Sequence, residues 1–289
     1  MIGHIRELLN YSDLLKQLVV RDLKVRYKNS ILGFFWSLLN PLVQVATITI
    51  VVKYVLRLDI DNYSAYLLAA YLPWVFFQMA LLDSSQVLVI HRDLLRKVYF
   101  PREVLPLSAV LSNLVHFLLA LVVFFVYLVV YIHFILHGSG ILLTTLLLPV
   151  LIALQGLLVL GLSLIVSCLN VFYEDTKYVL AVLLNVFFYL TPIMYPVELV
   201  RESIARLHWP AVCKGVISVV YSLNPMNILA DAYRKTLLPI VDLKLRGASV
   251  EAQPLDYGML AAAGAICVLV ALAGYAFFNS RKWVFAERV

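Results

Sequence analysis

Apolar residues gather in six long runs separated by short charged connections. A membrane-crossing helix needs about 20 largely apolar residues. Six segments qualify: 31–56, 63–90, 104–136, 141–169, 178–195 and 258–278. The first is interrupted by Asn40-Pro41, which predicts a kink. The third is long enough to tilt or to extend beyond the bilayer. Between the fifth and sixth lies a long segment, 196–257, with two shorter apolar stretches at 210–223 and 225–238. Runs of that length with internal Lys or Arg fit re-entrant or interfacial helices better than full spans. The fold expected is therefore an all-α integral membrane protein with six spans. It divides into a cytoplasmic N-terminal stretch, 1–30, and a single membrane domain, 31–289, whose segment 196–257 lies on the outer side.

Composition sharpens this picture. Of 289 residues, 63% are hydrophobic and 14% charged, against roughly 45–50% and 25% in soluble domains. A core of this size cannot bury that excess, so lipid is the second apolar solvent. The net charge of +6 would suggest nucleic acid in a soluble chain. Here the basic residues sit beside apolar runs, the pattern of anionic headgroups and of topology. Cys168, Cys213 and Cys267 are odd in number and far apart, which gives neither a disulfide framework nor zinc spacing. The basic N-terminus and long first run do not read as a cleaved signal peptide.

Lys and Arg set the orientation. Six lie in residues 1–30, four in the second-to-third connection, one (Lys177) in the fourth-to-fifth and three in the C-terminal tail. The opposite short loops carry only Lys53 and Arg57. The positive-inside rule places both termini in the cytoplasm and the long segment outside.

Residues 12–30 read as an interfacial helix. Gln17, Arg21, Lys24 and Lys28 share one face, and Leu14, Leu15, Leu18, Val19 and Leu23 lie mostly away from it. Asp22 and Arg26 fall inside the apolar arc. A generic basic tail is the alternative. The cytoplasmic connection 91–106, HRDLLRKVYFPREVLP, is charged yet carries Leu94, Leu95, Val98, Tyr99 and Phe100. An apolar knob with a basic rim suits a partner's groove; folding back onto the membrane surface is the other reading.

The membrane interior is poor in ionisable groups. Asp83 is the one acidic residue clearly inside a span; the other polar residues there are mostly neutral, namely Gln44, Gln78, Asn113, His116, Gln155 and Asn185. Ion-coupled pumps keep charged relays at mid-membrane, so this scarcity argues against one. Asp83 reads either as functional or as a helix-end residue reaching for the interface. Aromatic residues cluster at outer span ends, as in any interfacial belt; a pore lining is the functional alternative. Enzyme signals are weak. Asp59-Ile60-Asp61 lies on the outer side, away from nucleotide sugars. His133 and His137 lack a third ligand. No Gly-Lys dipeptide exists, so the chain cannot hydrolyse ATP through a P-loop. No catalytic or metal-binding residues are expected.

Five blocks carry a family resemblance: VRDLKVRYKNSILGFFWSLLNPL from Val20, RKVYFPREVLPLSAVLSNLVHF, VFYEDTKYVL, FYLTPIMYPVELV and YSLNPMNILADAYRKTLL. In order along nearly the whole chain, they resemble the membrane subunit of type-2 ABC exporters, in the branch exporting O-antigen, capsule and teichoic acid. The resemblance implies a homodimer working with two copies of a separate ATPase, which binds the ATP and magnesium; this chain itself needs no cofactor. It implies an interface helix holding Arg21, Lys24, Arg26 and Lys28. It implies a coupling helix within Arg92, Asp93, Leu94, Leu95, Arg96, Lys97, Val98, Tyr99 and Phe100. The first, second and fifth spans would line a path, to which Phe34, Trp36, Tyr54, Tyr63, Tyr66, Tyr71, Tyr189 and Tyr195 would contribute. Short outer helices around 196–207 and 221–238, with Pro196, Tyr221 and Pro225, would form an outer gate. The substrate would be a polysaccharide on a lipid carrier, moved across a bacterial inner membrane; nucleic acid is not an expected partner. A permease for a small lipid or drug, and a membrane glycosyl- or acyltransferase, are the competing readings.

Overall fold

The computed structural model describes residues 10–27, 34–55, 62–131, 143–206, 209–238, 243–245, 248–250 and 253–285. Eleven α-helices are found among them. In chain order they are α1 (Ser12–Tyr27), α2 (Phe34–Ile50), α3 (Tyr63–Ile90), α4 (Arg92–Lys97), α5 (Val104–Tyr131), α6 (Leu148–Phe172), α7 (Thr176–Leu190), α8 (Val197–Arg206), α9 (Ala211–Leu223), α10 (Pro225–Leu237) and α11 (Tyr257–Arg281). A two-stranded antiparallel hairpin, Leu243–Leu245 with Ala248–Val250, is the one departure from the all-α expectation.

Four helical stretches are long and apolar enough to cross a membrane: Tyr63–Ile90, Val104–Val130, Thr144–Phe172 and Tyr257–Arg281. The bent pair α9–α10, with an angle of 62°, makes five if counted as one crossing. The chain is thus a multi-pass helical membrane protein. Two of the six expected spans are not among these stretches. The stretch 31–56 yields α2, which runs through Pro41 without ending there and passes into a π-helical turn, Val51–Val55. The stretch 178–195 yields α7, of 15 residues. At 1.5 Å per residue that is about 22 Å, short of a hydrocarbon core of about 30 Å. The third run is helical to Tyr131.

Local chemistry explains the element ends. Asn62 adopts a left-handed conformation (φ 48°) before α3, and its side chain accepts from the Ala65 amide. The Asn224 side chain accepts from Met226 N at 3.0 Å, and Pro225 fills the first turn of α10. Asp256 caps α11 through the amides of Gly258 and Met259.

Helix α3 is the axis of the bundle, packed against α2, α5, α6, α7 and α10. The buried residues form two clusters. The larger runs through the membrane region around Trp74, Phe76, Phe77, Leu151, Met226 and Tyr233. The smaller sits at the end of the bundle where α1 and α4 attach and joins Leu18, Leu88, Phe100, Leu105, Cys168, Phe278 and Phe285. Helices α6 and α11 meet backbone to backbone at Gly161 and Gly274. A Cβ on Gly161 would lie 2.5 Å from the Val270 carbonyl oxygen, so only glycine allows this approach.

Several polar groups of the bundle bond within it. Gln155 donates to the Pro73 carbonyl at 2.7 Å and Trp74 Nε1 donates to Gln78 at 3.1 Å, while at the exposed edge of α2 Gln44 accepts from the Tyr71 hydroxyl. Neutral interior side chains of this kind serve packing between helices.

Candidate functional site

The connection after α3 forms a short helix, α4, with none of its residues buried. Asp93 in its first turn and Arg96 and Lys97 in its last complement the helix dipole. Arg92, Asp93, Arg96 and Lys97 are exposed, and Leu94 and Leu95 are half-buried against the smaller buried cluster. Val98 is exposed, and Tyr99 projects with 82% of its surface open. Phe100 does the opposite: it is 6% exposed and packs inward. The apolar knob is therefore Val98 and Tyr99. Phe100 leaves the docking set, because it packs into the buried cluster with Leu88, Leu105 and Phe285.

Helix α1 lies against α5. Gln17, Arg21 and Lys24 are exposed as foreseen, and Leu18 is buried; Lys28 lies outside the described residues. The structure explains the two charges inside the apolar arc. Arg26 donates to Asp83 Oδ2 at 2.7 Å and to Asn113 Oδ1 at 3.1 Å, and Asn113 Nδ2 donates to the same Asp83 oxygen at 2.8 Å. Asp22 accepts from Arg21, which also meets the His91 ring at the end of α3. Asp83 is thus a helix-end carboxylate with a defined partner. It ties the N-terminal helix to α3 and α5.

The aromatic set divides. Tyr54 on the π turn and Tyr189 on α7 are exposed. Tyr63 and Tyr71 are buried within the protomer's own core, Tyr63 donating to the Met194 carbonyl at 2.7 Å. They cannot line a path, because burial inside one chain persists in any assembly of this conformation. Tyr66 is covered by a guanidinium, and Tyr195 donates to the Tyr189 carbonyl at 2.7 Å. Phe34 and Trp36 stand in the first turn of α2. The pairs Asp59 with Asp61 and His133 with His137 lie outside the described residues. Among the described residues no group of three or more His, Cys, Asp or Glu could hold a metal.

At the end of the bundle away from α1 and α4, helices α8, α9 and α10 form a cap. Tyr221 sits at the end of α9, and the chain breaks at Asn224 before α10, so the helix expected over 221–238 begins four residues later, at Pro225. Pro196 is buried just before α8. Pattern reading passed over the centre of this cap, Arg234. It is 4% exposed and donates to the carbonyls of Tyr66 (3.2 Å), Tyr195 (3.3 Å) and Ile193. Its guanidinium also lies 3.9 Å from the Tyr66 ring centroid. The neighbouring Lys235 takes the carboxylates, Asp231 at 2.7 Å and Glu198 of α8 at 3.7 Å. Nothing in the local pattern sets Arg234 apart from Asp231 and Lys235, the other charges of α10.

Comparison with known proteins agrees with this geometry. The family described as ABC-2 type transporter matches residues 13–238. The O-antigen export system permease protein RfbA of Myxococcus xanthus is 32% identical over 289 residues, covering 100% of both chains. A protein of the same name from Klebsiella pneumoniae is 29% identical over 276 residues, 95% of this chain and 94% of that one. The family match spans most of the chain and the likeness to the Myxococcus xanthus protein spans all of it, and the chain belongs to the ABC-2 type transporter family.

Proposed function

We propose that this chain is the channel subunit of an ATP-driven exporter that carries a lipid-linked polysaccharide of the O-antigen type from the cytoplasm to the outer face of a bacterial inner membrane. The likeness to O-antigen export permeases over the whole chain carries this reading. The unit is a homodimer joined to two copies of a separate ABC ATPase, which binds the ATP and magnesium. Residues 31–289 then cross the membrane six times, with α2 and α7 as the shorter crossings, and both termini are cytoplasmic.

Helix α4 with Val98 and Tyr99 docks into the ATPase. Helix α1 lies along the cytoplasmic leaflet, and 196–257 closes the outer end with α9–α10 as a re-entrant pair. The exposed faces of α2 and α7, with Tyr54 and Tyr189, border the path between protomers. Their polar members Asn40, Gln44 and Asn185 are all exposed, which suits a partner or a wet conduit better than hydrocarbon.

The test is export. Deletion of the gene should remove surface polysaccharide, and restoration should need this chain and its ATPase together. Unchanged surface polysaccharide, or rescue by this chain alone, overturns the proposal.

A further inference from the structure

The cytoplasmic turn that follows α11 is bound to the residues that lead out of the coupling connection. Lys282 Nζ lies 2.8 Å from Glu103 Oε1, and the two side chains are 12% and 7% exposed. Glu103 stands immediately before α5, where a carboxylate also meets the positive end of the helix. Arg102 donates from its guanidinium to the Lys282 carbonyl, and its charged end lies 5.9 Å from the Phe285 ring. Burial lowers the Arg102 pKa, with the Glu103 carboxylate and Tyr99 pulling the other way. Phe285 is 1% exposed, with ring centroids 5.3 Å from Phe278 and 6.1 Å from Phe172. Residues 179 positions apart in sequence are thus joined by an ion pair, a charge-assisted hydrogen bond and an aromatic cluster.

The geometry points to a strap: residues Lys282 to Phe285 fasten the exit of the α4 connection to α11, so that a push on α4 moves α11 and its glycine-locked neighbour α6 together with α3 and α5. This rests on the reading of α4 as the ATPase contact. The route is physically continuous. Phe100 and Phe285 share one buried cluster, Glu103 and Lys282 pair beside it, and α11 meets α6 without intervening side chains at Gly161 and Gly274. Closely packed contacts of this kind transmit displacement because they do not deform continuously. Without the strap, the six-residue link from Val98 to Glu103 would carry the displacement from α4 to α5 with no tie to α11. Lys282, Glu103 and Phe285 are then positioning residues, and they touch neither nucleotide nor glycan.

Two measurements test this in the complete complex with its ATPase. The first compares surface polysaccharide with ATP hydrolysed for Lys282→Met, Glu103→Gln, the two combined, and Lys282→Arg. Couplings between sites commonly amount to about 5- to 150-fold. Each single neutralisation should lower export per ATP by about fivefold or more while the complex still assembles. The double variant should be no worse than the worse single, because the pair acts as a unit, and Lys282→Arg should stay near the parent. Unchanged export per ATP, additive losses, or losses explained by less assembled complex overturn the strap.

The second measurement needs no glycan. With Cys213 replaced by Ser, spin labels at Lys97→Cys and Ser280→Cys should keep one spacing in the nucleotide-free and ATP-trapped complexes. The spacing should change between those states once Lys282→Met is added. A change with the strap intact overturns it. If the unaltered complex exports no polysaccharide while the labels behave as stated, the assigned cargo fails and the strap stands.

Discussion

The cap and the N-terminal helix α1 are both short, charged and attached to the flank of the bundle, yet they are held in opposite ways. In α10, nine of 13 residues are buried, and Arg234 is spent on three backbone carbonyls. Carbonyls do not titrate or swing away, so this attachment is fixed by the fold itself. In α1, Leu18 is the one buried residue among those whose side chains are described. Its anchor to the bundle is an ion pair, Arg26 with Asp83, whose side chains are 28% and 40% exposed. A half-wet pair is weak and reversible, whereas a buried cation deprived of its partners is costly. One end of the molecule is thus built to stay in place. The other can shift when a partner or the membrane surface asks it to.

The strongest test of that contrast is Arg234→Met. It removes three hydrogen bonds to a charged donor, each worth about 1.5–3 kcal/mol, and leaves carbonyls without partners. A net loss of about 3–5 kcal/mol is expected, read as a lowered thermal unfolding midpoint of the purified protein. Arg234→Lys should rescue little, because one ammonium cannot reproduce the planar fork that spans Tyr66, Ile193 and Tyr195. A variant as stable as the parent would mean the cap is held by packing alone, and the contrast with α1 would lose its basis.

Phe100→Ala comes next. Removing a buried phenylalanine costs about 3–5 kcal/mol, and the cluster around Phe100 has neighbours on several elements that can partly relax. Its expected effect is at the lower end, about 3 kcal/mol, again in the unfolding midpoint. A loss near zero would place Phe100 with Tyr99 on the docking surface after all.

What the sequence made legible follows from periodicity and length. The bounds of α3 were foreseen because an apolar run of that length has no competing structure, and α9 and α10 because Pro210, Asn224 and Pro225 punctuate them. The length of α7 was misjudged because hydropathy counts apolar residues whether or not they are helical. Residues 191–195 are apolar in composition but form turns, held by Arg234 through Ile193 and Tyr195. Side-chain direction was legible only where a helix imposed it. Exposure of Gln17, Arg21 and Lys24 was predicted correctly, but Tyr99 and Phe100, adjacent in an extended segment, could not be separated. Partners distant in sequence, such as Arg26 with Asp83 or Lys282 with Glu103, carry no local signature. Arg26 surfaced only as a blemish in an amphipathic pattern, which is how a tertiary contact looks from one helix alone.

That blemish supplies a third test. Arg26→Met and Asp83→Asn should each cost about 1 kcal/mol or less in stability, with a small interaction energy in the double-mutant cycle. Asn113 donates to Asp83 in either state, so the carboxylate keeps one partner when Arg26 is removed. A loss approaching that of Arg234→Met would mean the two attachments are energetically alike despite their exposure.

The smallest stability effect, and the one most informative about function, belongs to Tyr99→Ala. The side chain is 82% exposed and joins neither buried cluster, so unfolding should move by no more than about 0.5 kcal/mol. An exposed aromatic with no internal duty is what a docking contact looks like before its partner arrives. Truncating such an anchor commonly costs about 2 kcal/mol or more in binding. That corresponds to roughly 30-fold weaker association with the ATPase, measurable by titrating the purified ATPase onto the membrane subunit. Unaltered association would return Tyr99 to the interfacial belt and leave the exposed charges of α4 as the whole of the contact. Weakened association with unchanged stability would separate docking from folding within two adjacent residues, Tyr99 serving the partner and Phe100 the core.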